Sequence, residues 1–94
     1  MNIPLSPDEY RTRLSQKILF ARSQEEVRLA IDEAMQALEA NRVHEHAILR
    51  FVEIILSEFE SYNAMQTDPQ QWSNIALSKV LFERIRHQLT AAAS

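Results

Sequence analysis

Ser23-Gln24-Glu25-Glu26-Val27-Arg28-Leu29-Ala30-Ile31 opens the stretch whose reading decides the fold, and the pattern continues to Ala40. Ser23 offers a side-chain oxygen to the first free N–H groups of a helix, and Glu26 stands three residues on to reach back. Val27, Ala30, Ile31, Ala34, Met35, Ala37 and Leu38 then cover one side of a helical wheel. Glu25, Glu26, Arg28, Asp32, Glu33, Gln36 and Glu39 cover the other. That division predicts an amphipathic helix over 24–40. Ala30, Ala34 and Ala37 let a neighbour approach its buried side closely, and Asn41, which tolerates a left-handed backbone, is the expected stop.

The same start signal recurs on either side. Ser6-Pro7-Asp8-Glu9 and Asp68-Pro69-Gln70-Gln71 both pair a capping oxygen with a Glu or Gln three residues later. Both also place proline first in the helix, where a missing N–H costs nothing. A first helix is expected over 7–21, with Tyr10, Leu14, Ile18 and Ala21 on its stripe, after an extended lead-in at 1–5. Leu19 and Phe20 fall off that stripe, so another element should cover this helix end. A fourth helix is expected over 69–89, followed by a frayed tail at 90–94.

The third helix, expected over 43–62, is different. Its apolar residues run from Ala47 to Tyr62 and spread over roughly 220° of the wheel, against the roughly 100° stripe of an ordinary surface helix. Such a helix is either the centre of a bundle or part of a subunit interface. The fourth helix, with Trp72, Ile75, Leu77, Val80, Leu81, Phe82, Ile85 and Leu89, also wraps broadly.

Composition sets the outer limits. The 94 residues make one domain, spanning 1–94, since two would each be too small to hold a core. Glycine is absent, which removes phosphate-cradling loops, dinucleotide fingerprints and tight hairpins. Cysteine is absent too, so no thiolate chemistry or Cys-based zinc site exists. No signal-peptide pattern and no apolar run long enough to cross a bilayer stands in the chain, so a cytoplasmic location without membrane contact is expected. A net charge of −3 gives no general pull toward nucleic acid.

Candidate sites fare poorly against plain structural readings. His44 and His46 flank Glu45, but residues two apart on a helix diverge by about 200°, so they cannot share an ion unless this stretch is still turn. No Glu-x-x-His pair supplies the ligands of a metal-binding bundle. Lys and Gly do not accompany these histidines, as they do in phosphorelay bundles. No glycine-framed nucleophile exists for hydrolysis. Glu9–Arg13, Arg28–Asp32 and Glu83–His87 are spaced as surface ion pairs. Trp72 and Tyr62, which flank the connector between the third and fourth helices, are expected to plug the end of the bundle.

The expectation is therefore a small antiparallel up-and-down four-helix bundle, all-α, that is no enzyme and takes no cofactor, metal or small ligand. It should bind protein: itself first, as a homodimer, and another protein through leftover apolar surface of the third and fourth helices. Ile55, Phe59, Leu77 and Leu81 are the expected contact residues. The alternative is a nucleic-acid accessory protein using a basic face of Arg11, Arg13, Lys17, Arg84 and Arg86.

Overall fold

A computed structural model describes residues 6–93, and within them four helices and no strand: α1 (Pro7–Leu19), α2 (Gln24–Ala40), α3 (Glu45–Glu60) and α4 (Pro69–Ala93). The expected lead-in at 1–5 and Ser94 lie outside the described residues. The capping oxygen of each of the three start signals acts as read. Ser6 Oγ accepts from the Glu9 N–H and Ser23 Oγ from the Glu26 N–H, each at 3.2 Å. Asp68 Oδ2 accepts from the N–H groups of Gln70 and Gln71. Glu26 reaches back one residue beyond the cap, to the Arg22 N–H at 2.7 Å.

Helix ends depart from expectation for specific reasons. α1 stops at Leu19, two residues early, because Asn74 of α4 takes the carbonyls that end it: Asn74 Nδ2 donates to Leu19 O at 3.3 Å and to Ala21 O at 2.8 Å. Phe20, between them, is 71% exposed, so no element covers it. α4 stays helical to Ala93 where a frayed tail was expected. Thr90 Oγ1 donates to Arg86 O at 2.8 Å in its last turns.

One hydrophobic cluster joins all four helices, with Leu14 and Ile18 of α1, Val27, Ile31 and Ala34 of α2, and Ile75 and Phe82 of α4. α3 contributes most, with Phe51, Val52, Ile55, Leu56 and Phe59, and it also buries Ile48. At about 1.5–3 kcal/mol for each such side chain, this helix anchors the fold. Much of its breadth is buried inside one chain, chiefly against α4 and also against α1.

The packing partners set up the site. α1 and α4 each pack against all the other helices, while α2 and α3 meet least. The molecule is a slab of 39 × 38 × 22 Å, about two helix diameters thick.

Candidate protein-docking groove

α2 and α3 diverge from a tight turn. The Arg42 N–H donates to Glu39 O and the Val43 N–H to Leu38 O, both at 3.0 Å, which is the double closure of a Schellman ending. That ending requires a left-handed residue, and Arg42 supplies it at φ 55°. With no glycine in the chain, a side chain bearing Cβ takes the position at a cost of about 1–2 kcal/mol. The left-handed residue is thus one later than expected. Asn41 keeps φ −88° and donates its side-chain amide to Ala37 O at 2.7 Å.

α3 then starts at Glu45, two residues late, because His44 is its cap. His44 Nδ1 accepts from the His46 N–H at 3.1 Å, and the two rings stack with centroids 5.1 Å apart. The stretch is still turn at His44, the stated exception, and the two rings do not diverge. Among the described residues no group of three or more metal-ligating side chains comes together.

α1 lies across the gap. The ring of Tyr10 tilts against that of Phe51 at 5.9 Å. Arg11 Nε donates to Glu58 Oε1 and Arg11 Nη1 to Asp8 Oδ1, both at 2.8 Å, and Ser15 Oγ donates to Glu58 Oε2 at 3.3 Å. The two bonds to Glu58 fasten the middle of α1 to α3.

What remains is an open groove of about 700 Å³, bounded by Pro7, Asp8, Tyr10 and Arg11 of α1, Ala37 and Leu38 of α2, and Asn41 and Val43 of the turn. Its third wall is Ala47, Arg50, Phe51 and Ile54 of α3, at i, i+3, i+4 and i+7. A second, smaller hollow of about 310 Å³ adjoins it between α1 and α2, sharing Tyr10 and Ala37. Arg13, Lys17 and Glu33 stand in that hollow. Burial, and then the negative charge of Glu33, raises the Tyr10 phenol above its ordinary value of 10.0.

The ion pairs among the described residues are Arg11–Asp8 and Arg11–Glu58; the three surface pairs expected from spacing are not formed. Arg50 is therefore the one charged side chain on the groove wall without an ionic partner among the described residues.

The expected contact residues divide. Ile55 and Phe59 have 0% and 1% of their surface exposed, so they belong to the core and cannot touch a partner. Leu77 and Leu81 are half-buried and stay at the surface of α4, beside Val80, which is 53% exposed. Of the expected basic face, Arg11 is occupied by two carboxylates. Arg13 and Lys17 line the α1–α2 hollow, whereas Arg84 borders a separate cleft between α2 and α4 with Arg28 and Asp32. Arg86 is exposed. Trp72 is half-buried while Tyr62 is exposed and leans on Phe59, so the aromatic plug is half formed.

Sequence reading missed the groove. The broad apolar arc of the third helix was its only signal, and that arc could not reveal that α1 would hold α2 and α3 apart. No helix among the described residues is long and apolar enough to cross a membrane. No family model matches the chain, and no curated protein or solved structure is recognisably similar to it.

Proposed function

We propose that this chain is a small protein-binding module which docks another protein in the groove between α1, α2 and α3, rather than a catalyst. One observation carries the reading: Ala47 and Ile54, two turns apart on α3, line an open groove, with Phe51 between them resting on Tyr10 of α1. Apolar surface of this kind, rimmed by polar groups, is what association sites leave exposed. The short connections at 20–23 and 41–44 fit consecutive helices running up and down, antiparallel to one another. The cysteine-free composition fits a reducing cytoplasm.

A second reading, self-association as a homodimer, draws on a different surface. Leu77, Val80 and Leu81 stand at i, i+3 and i+4 on α4, with Val80 largely exposed. This stripe fits a symmetric contact between two copies.

Ala47→Trp separates the groove from the rest of the protein. Ala47 is exposed, so an indole there fills the groove without disturbing the core. Immobilised wild-type protein is expected to retain cellular proteins that the folded variant does not. Equal retention by both, or none by wild type above a bare matrix, overturns the reading.

A further inference from the structure

Resting on the groove as a docking site, we propose that its occupant is an amphipathic helix of another protein whose apolar stripe is flanked by carboxylates. Shape supports a helix. Ala47, Phe51 and Ile54 present two turns of wall, and the adjoining hollow extends the seam along α2 from Ala30 to Asn41, about 16 Å at helical rise. A helix with apolar residues at i, i+3, i+4 and i+7 matches a trough of that length.

Charge selects the flanks. Along this seam Arg50, Arg13 and Lys17 carry positive charge without an ion pair among the described residues. Opposing them is Glu33, since Asp8 is tied to Arg11. A seam with surplus positive charge, in a chain of net charge −3, attracts acid and repels base.

A second copy of this chain does not fit. Its apolar stripe on α4, Leu77, Val80 and Leu81, carries the cation of Arg84 along it and a single carboxylate, Glu83, on one side. The acidic outer face of α2 exposes one large apolar side chain, Leu29, among the described residues. Neither offers an apolar stripe flanked on both sides by carboxylates.

The test uses two designed four-turn helical peptides with the same leucine stripe, one flanked by glutamates and the other by lysines, titrated into the full chain by fluorescence anisotropy. Three cations at a few tenths of a kcal/mol each predict about tenfold tighter binding of the glutamate peptide at low salt. That advantage should shrink as salt rises and should be lost in Arg50→Glu, whose exposed site leaves the fold intact. Equal affinities overturn the charge selection while leaving the groove a docking site. Binding of neither peptide overturns the helical occupant, and the Ala47→Trp comparison then decides whether the groove binds protein at all. Displacement of the glutamate peptide by duplex DNA, or loss of its binding as the chain self-associates, assigns the groove to those occupants instead.

Discussion

Asn74 of α4 donates its side-chain amide to the carbonyl oxygen of Ala21, 2.8 Å away, at the end of α1. Asn74 is 1% exposed, and the same amide also serves Leu19 O, while its Oδ1 accepts from Gln70 Nε2 at 3.1 Å. A helix end buried against another helix leaves carbonyls that water cannot reach, and here one side chain satisfies two of them.

Asn74→Ala is therefore expected to lower stability by about 1–3 kcal/mol, the cost of buried acceptors left without a donor. Asn74→Asp should cost more, because it sets a carboxylate against two carbonyl oxygens in a buried site. Urea denaturation followed by circular dichroism checks both. A neutral effect of either substitution contradicts the role given to this side chain.

Arg42→Gly is expected to raise stability by about 1 kcal/mol, since glycine takes φ 55° without the penalty of a Cβ. The denaturation midpoint should rise at an unchanged slope. Arg42→Val should lower it, as a β-branched residue suits that backbone least.

Ile55→Ala and Leu81→Glu should behave in opposite ways. Ile55 is a fully enclosed core residue, so its truncation is expected to cost about 2–5 kcal/mol while leaving the molar mass in solution unchanged. Leu81 keeps part of its surface, and Leu81→Glu should leave the fold intact and yield a monomer if α4 pairs two copies. Light scattering alongside thermal melting separates the two effects.

Tyr10 sets a limit at high pH. Its phenol is raised above the ordinary value in the folded chain, by burial and by Glu33, so the native state favours the neutral form. That stabilisation is fully present below about pH 10, the unfolded value, and is lost as pH rises through the folded one. Tyr10→Phe should flatten the fall in melting temperature above about pH 10. An unchanged alkaline profile contradicts the assignment.

Local chemistry made most of the helices legible. Ser6, Ser23 and Asp68 cap because the acceptor and the N–H groups it serves lie within a few residues of one another. The span of α2 follows from its period, the Ser23 cap and the stop at Asn41. Tertiary contacts hid the rest. α1 ends at Leu19 because of a side chain 55 positions away, on α4. Ile55 and Phe59 look surplus on a wheel, but four helices packed as a slab enclose them. The groove depends on α1 lying between two helices that are consecutive in the chain, and no local pattern encodes that placement.

The most direct measurement is amide chemical-shift mapping by NMR on addition of the glutamate-flanked peptide. Shifts are expected to gather on Ala37, Leu38, Ala47, Arg50 and Ile54, the residues around the groove. Shifts confined to Leu77, Val80 and Leu81, with the groove amides unmoved, would contradict the docking site.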